Sequence, residues 1–118
     1  MDIPLEHFQF NERPWGNFKR FTLNESSTVK IVTVHPLQAL SLQKHHHRKE
    51  FWYVLSGSGT FTIGEEKIVA EVGGGYLVPT ETLHRVEAGN DGLMFLEIAF
   101  GDFDEDDIVR IEDRYGRK

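Results

Sequence analysis

The sequence contains no cysteine, which excludes a disulfide framework, a thiolate metal site and a cysteine nucleophile. It also lacks any apolar run approaching the ~20 residues of a membrane-spanning helix, and residues 1–10 carry acids without the apolar stretch of a signal peptide. Positive charge is scarce, since 13 Lys and Arg are set against 19 Asp and Glu, a net charge of −6. Nucleic-acid binding needs clustered Lys and Arg. We therefore expect a cytoplasmic protein that binds neither nucleic acid nor membrane.

The length and composition are those of one globular domain. The chain has 118 residues, of which 39% are hydrophobic and 27% charged. Domains usually contain roughly 100–200 residues, so there is no room for a second one. We expect a single domain over residues 1–118, with its core at about residues 13–101 and a C-terminal segment at 102–118.

Short apolar and β-branched runs recur along the chain, separated by Gly, Pro or polar clusters. This pattern predicts an all-β sandwich or barrel, wide enough to hold a small ligand. The predicted strands cover residues 29–34, 51–55, 60–63, 67–72, 76–78, 84–87 and 93–100. The acidic run 102–107, followed by Ile108 and Val109, predicts one short C-terminal helical segment, because acidic side chains suit a helix N-terminus.

Histidine is concentrated at one place in the chain. Three of the six histidines are consecutive, His45, His46 and His47. If this segment is a strand, alternate side chains share a face, so Gln43, His45 and His47 point the same way. With a nearby carboxylate they can form part of a metal shell. Taken alone, the triplet is equally typical of a solvated polar loop, and both interpretations stay open.

The spacing around the triplet favours the metal site. Four residues separate His45 from Glu50, and the second segment has Pro79 four residues before His84. In both segments the stated gap is four intervening residues, Thr80 to Leu83 in the second. These gaps resemble the two motifs of the cupin superfamily, whose fold is a double-stranded β-helix, the jelly-roll barrel. Motif glycines match at Gly57 and Gly73. The sequence departs from the motif residues at Leu37, Gln43, Glu81 and Ala88.

Longer segments resemble one cupin family, the mannose-6-phosphate isomerases of type II. They are Arg13-Pro14-Trp15-Gly16, the run from Leu40 to Glu50, His84-Arg85, and the run from Asp106 to Arg117. The resemblance implies a stand-alone domain that converts mannose 6-phosphate to fructose 6-phosphate through a metal-stabilised enediolate. It also implies one divalent ion, zinc foremost, although manganese, iron, cobalt and nickel suit such ligands too. The implied ligands are Gln43, His45, Glu50 and His84, with His47 as an alternative.

An isomerase needs a base beside the metal. Glu97 has the strand parity of Leu93 and Phe95, so an inward-facing strand would bury its carboxylate and raise its pKa into the range of a general base. An outward, solvated Glu97 and a metal-bound hydroxide are the alternatives. Arg85, beside His84, is a second candidate catalytic residue.

A phosphorylated substrate needs fixed cations. Arg48 and Arg85 adjoin motif residues, and arginine binds phosphate through two parallel hydrogen bonds. Lys44 and Lys30 are further candidates, and each of these cations is also typical of a surface ion pair. Trp52 shares parity with Glu50, and we expect it to line the cavity wall, where indole rings stack on sugars or simply fill the core.

Two other functions remain open at this point. One is a non-catalytic cupin that binds a sugar or a sugar phosphate, and a weaker one is oxygen chemistry on iron, since a fold does not fix a function. For either sugar function we expect a small-molecule sugar phosphate as ligand. We also expect a homodimer in which residues 1–10 exchange between subunits.

Overall fold

A computed structural model describes residues 2–117, and every regular element within that range is a strand. The nine strands are β1 (Gln9–Arg13), β2 (Gly16–Arg20), β3 (Ser27–Val34), β4 (Leu42–Lys44), β5 (Lys49–Ile63), β6 (Glu66–Ala70), β7 (Gly75–Val78), β8 (His84–Phe100) and β9 (Val109–Glu112). The all-β prediction is confirmed. The described part of the chain has no helix that is long and apolar enough to cross a membrane. Met1 and Lys118, which belong to the predicted domain, lie outside the described residues.

Two long antiparallel strands organise the sheet. β5 and β8 pair from Lys49 opposite Phe100 to Ile63 opposite His84. β3 pairs with the second half of β8, β7 with the first half of β5, and β6 with the second half of β5. β4 joins β8 to β9, and β1 and β2 form a separate hairpin. Glu50 lies near the start of β5, and His84 is the first residue of β8.

The predicted strands are present, but two pairs of them are continuous. Runs 51–55 and 60–63 are both parts of β5, and runs 84–87 and 93–100 are both parts of β8. The polar and glycine residues between these runs lie at register shifts after Val54 and Gly57, where the paired strands bend. A β-bulge allows such a bend without ending the strand.

The predicted C-terminal helical segment is wrong. Residues 102–108 form turns, and Val109–Glu112 is strand β9, paired with β4. β-branched Val109 and Ile111 suit a strand. The Asp107 carboxylate accepts hydrogen bonds from the backbone N–H groups of His46 and His47, on a different part of the chain, instead of capping a helix.

The core lies between the two halves of the sheet. Aromatic rings from β5 and β8 meet there, with Trp52 4.8 Å from Phe61 and 5.5 Å from Phe95 between ring centroids. On the opposite face of β5, Phe51 is fully buried beneath Phe21 of the N-terminal region. The N-terminal region therefore covers the outer face of β5. The buried polar residues include His45, Glu50 and His84.

Gly57 marks the bend of β5, and its replacement by alanine is expected to destabilise the fold by about 2 kcal/mol. Its φ is +88°, and an added Cβ would collide with the carbonyl oxygen of Gly92, which is backbone and cannot move aside cheaply. Urea unfolding measures the change. Gly73→Ala is the matched control, because Gly73 has φ +83° but open space around a Cβ. Equal costs at the two positions would show that the collision with Gly92 contributes nothing.

Candidate metal centre

Three buried ligand-type side chains converge inside the barrel. His45 follows β4, Glu50 lies near the start of β5, and His84 is the first residue of β8. One ligand atom from each lies within 4.8 Å of the others, and each residue is at most 3% exposed. His45 Nε2 is 3.3 Å from Glu50 Oε2, and the two imidazole centroids are 5.1 Å apart. Residues distant in sequence thus form one compact donor group.

Hydrogen bonds at the back of each ring fix the tautomer of both histidines. His84 Nδ1 donates to the Thr82 carbonyl at 2.8 Å, and His45 Nδ1 donates to the Asp107 carbonyl. In each ring the Nε2 lone pair therefore faces away from the backbone partner. Burial lowers the pKa of His84, which favours the neutral imidazole that a metal requires.

Glu50 is the anionic member of the group. Its Oε1 accepts a hydrogen bond from Trp52 Nε1 at 3.0 Å, and its Oε2 accepts one from Arg48 Nε at 2.9 Å. Burial raises the pKa of a carboxyl, but here His84, His45 and Arg48 together outweigh it, so the pKa of Glu50 is lowered. The carboxylate is ionised at neutral pH.

These donors fit a divalent cation. His84 Nε2 is buried and has no hydrogen-bond partner among residues 2–117, and a buried unsatisfied acceptor is costly unless a ligand completes it. Two neutral imidazoles and one carboxylate are a donor set found at zinc and other divalent transition-metal sites. The group thus confirms that the chain has a possible metal site, without fixing the metal.

The remaining two predicted ligands have different positions. Gln43 lies opposite His84 in the strand register and lines the cavity next to the donor group, so its amide remains a predicted fourth ligand. His47 does not join the group. β4 ends at Lys44, so strand alternation does not extend to His47, and its side chain is exposed.

A cavity of about 230 Å³ adjoins the donor group. Arg48, Lys30 and Glu97 line it. Arg48 is 8% exposed and lies over the Phe103 ring, 4.4 Å from its centroid. Glu97 is also 8% exposed and lies 3.6 Å from Lys30 Nζ. Burial, and then the neighbouring negative charge of Glu50, raise the pKa of Glu97 to about 7.

The structure places the other predicted substrate residues elsewhere. Lys44 pairs with Glu81 at 3.8 Å. Arg85 lies on the face of β8 opposite His84, where it donates to the Leu40 carbonyl and to Glu112. Neither residue lines the cavity. Trp52 is 1% exposed and acts within the core, where it donates to Glu50.

The C-terminal segment completes the site by packing against the barrel beside the donor group. The Asp107 carbonyl accepts from His45, and its carboxylate accepts from the N–H groups of His46 and His47 at 2.8 and 2.9 Å. The His46 N–H lowers the pKa of Asp107. Glu105, Arg110 and Arg117 of the same segment line the cavity. The family resemblance of residues 106–117 was the available signal, since it extends to this segment.

Replacing Asp107 by alanine is expected to weaken divalent-metal binding by about 10- to 100-fold, the usual cost of losing an outer-shell partner. The carboxylate holds the loop that carries His45, and without it the imidazole is less firmly oriented. Calorimetric titration with zinc or cobalt measures the change. Asp106→Ala is the control, since Asp106 is the exposed neighbouring acid. Equal affinities for both variants would show that Asp107 does not position His45.

Comparison with known proteins identifies close relatives of this segment. The family profile described as mannose-6-phosphate isomerase C-terminal matches residues 4–113. ManC of Salmonella typhimurium, a mannose-1-phosphate guanylyltransferase, is 42% identical over 117 residues, 95% of this chain and 24% of its own length. A mannose-1-phosphate guanylyltransferase of Escherichia coli is 40% identical over 108 residues, 89% of this chain and 22% of its own. The chain spans about a quarter of the length of these relatives.

These relatives overturn the predicted activity. Their name describes a nucleotidyl transfer to mannose 1-phosphate, not an aldose–ketose isomerisation. The prediction of a mannose-6-phosphate isomerase is therefore wrong, and the roles of Glu97 as base and Arg85 as catalytic residue lose their basis with it. The resemblance identified the cupin family correctly. The family description names an isomerase, whereas these relatives are named as guanylyltransferases.

A solved structure confirms the fold. A cupin protein from Bacteroides fragilis is similar with a TM-score of 0.59 at 24% identity, over 70% of this chain and 72% of that one. The double-stranded β-helix implied by the resemblance to cupins is thus the fold of the chain.

Proposed function

The chain belongs to the mannose-6-phosphate isomerase C-terminal family of cupins, and from this premise we propose that it is a metal-holding module that binds a mannose phosphate for a mannose-1-phosphate guanylyltransferase. The relatives bear that name and carry this cupin as about a quarter of their length. The observation that supports the proposal is the buried group His45, Glu50 and His84 beside a cavity whose charged lining includes four cations.

Different residues of the site would bind the metal and the phosphate. His45, Glu50 and His84, with Gln43 as the predicted fourth ligand, would hold one divalent ion, for which zinc is our first choice because imidazole and carboxylate groups are common zinc ligands. When bound, such an ion would supply positive charge that could orient a sugar oxygen. Lys30 and Arg48, on the cavity wall, would bind the phosphate. A phosphorylated hexose satisfies both parts of the site, since it offers hydroxyl oxygens and a dianion on one small molecule.

Calorimetric titration tests the proposal. The metal-loaded protein is titrated with mannose 1-phosphate and, separately, with unphosphorylated mannose, and both titrations are repeated after treatment with a chelator. We expect binding of the phosphate ester that is weakened at least tenfold when the phosphate or the metal is absent. Binding of neither sugar by the metal-loaded protein, or failure of the protein to retain any divalent metal, would overturn the proposal.

A further inference from the structure

Arg48 makes contacts that a bound metal would have to replace. Its Nε donates to Glu50 Oε2 at 2.9 Å, and its terminal NH2 nitrogen donates to His45 Nε2 at 3.1 Å. His45 and Glu50 are also members of the candidate metal centre. Because His45 Nδ1 donates to the Asp107 carbonyl, Nε2 is the ring nitrogen that His45 can offer to a metal. A lone pair that accepts a guanidinium proton is not available to a metal ion at the same time. The guanidinium therefore acts as a cation on the same acceptors.

The same side chain is positioned to serve a second ligand. Arg48 belongs to the cavity wall, which is rich in charge. Its charged residues are the cations Lys30, Arg48, Arg110 and Arg117 and the acids Glu50, Glu97 and Glu105. The four cations outnumber the three acids even before a metal adds two positive charges.

Arg110 supplies an independent indication of an anion. Its Nε is buried and unpartnered within the part of the chain that the structure describes. Arg110 lies opposite Gln43 on β9, so the strand fixes where its side chain begins. A guanidinium donor left without an acceptor beside other cations is complementary to an oxyanion, which accepts two parallel hydrogen bonds from one arginine.

We infer that Arg48 is a built-in competitor of the metal, and that metal binding displaces it to form, with Arg110, a site for a phosphate or another tetrahedral oxyanion. The inference rests on the proposed function, which it deepens by adding Arg110 to the phosphate site and by coupling the two ligands. Metal binding frees the Arg48 donors, and an oxyanion that binds these donors removes the competitor from Glu50 and His45. By linkage each ligand then tightens the binding of the other by the same factor.

Calorimetric titration with cobalt chloride tests the competition. In buffer without oxyanions, Arg48→Met is expected to bind cobalt about tenfold more tightly than the unmodified protein, within the usual range of coupling between two ligands. If Arg48 instead only supports the ligands, its loss weakens cobalt binding. Arg85→Met is the matched control, because it removes an arginine from the outer face of β8. Unchanged or weaker cobalt binding by Arg48→Met would overturn the inference.

Sulfate, at constant ionic strength, tests the coupling. It is expected to tighten cobalt binding severalfold in the unmodified protein and in Arg85→Met, but not in Arg48→Met or Arg110→Gln. An equal effect of sulfate in all four proteins would overturn the oxyanion site.

Cobalt binding by the unmodified protein distinguishes failure of the proposed function from failure of the inference. If the unmodified protein retains no divalent metal, the proposed function fails. If it binds cobalt and only the variants depart from the expected affinities, the inference alone fails. Arg48→Lys covers the case in which Arg48→Met does not fold, as judged by circular dichroism. A lysine ammonium lacks the planar fork that reaches Glu50 and His45 together, so this variant is also expected to bind cobalt more tightly than the unmodified protein, and weaker binding would contradict the competition.

Discussion

Replacing His84 by alanine is expected to abolish retention of a divalent metal while leaving the barrel folded. His84 supplies one of three side chains in the donor group, and its Nε2 is held toward the others by the hydrogen bond from Nδ1 to the Thr82 carbonyl. Loss of an outer-shell partner weakens a metal site by about 10- to 100-fold, so loss of a ligand is expected to exceed about 100-fold. Elemental analysis after extensive dialysis measures the retained metal.

The fold should survive this substitution because two effects on stability oppose each other. The His84 ring packs edge-on against Trp52 at 5.5 Å, and its removal leaves a small cavity. The same substitution removes the buried, unpartnered Nε2 acceptor, whose burial is itself destabilising. Circular dichroism and urea unfolding measure the balance.

His46→Ala is the matched control for the metal measurement. His46 belongs to the same histidine triplet as His45, but its ring is exposed and pairs with Glu81 at 2.8 Å. We expect this variant to retain metal as the unmodified protein does. Metal content in His84→Ala equal to that of His46→Ala would remove His84 from the donor group.

The donor group was predictable from sequence because it depends on local spacing. Motif gaps connect His45 to Glu50 within one segment, and the gap after Pro79 singles out His84. Glu50 and His84 take their direction from strands β5 and β8, which the apolar pattern also predicts. The inward position of Glu97 follows from the same alternation along β8.

Other features could not be predicted from the sequence because they depend on contacts between distant segments. Arg85 adjoins His84, but adjacent residues of a strand face opposite sides, so nearness in sequence placed it on the wrong face. The acidic run 102–107 is typical of a helix start, yet the Asp107 carboxylate binds the N–H groups of His46 and His47, about sixty positions earlier. A local propensity cannot anticipate a partner that only the tertiary fold supplies.

Replacing Glu97 by glutamine is expected to remove a pH dependence of stability worth about 3 kcal/mol, at about 1.4 kcal/mol per pKa unit. Burial raises the pKa of Glu97 from 4.5 to about 7. The folded protein therefore binds this proton more tightly than the unfolded chain does. The stabilisation is complete below pH 4.5 and is lost as pH rises through about 7. Glutamine keeps the shape but carries no charge at any pH.

Urea unfolding of chelator-treated protein at several pH values between 4.5 and 8.5 measures this difference. Other carboxylates titrate in both proteins, so their effects cancel when the variant is compared with the unmodified chain. Glu97→Gln should gain stability relative to the unmodified protein as pH rises, and parallel curves would mean that Glu97 ionises alike in the folded and unfolded states. Lys30→Met provides a directional check. The Lys30 charge lowers the pKa of Glu97, so its removal should move the loss of stability to higher pH. An unchanged pH range would show that this ammonium does not act on the buried carboxyl.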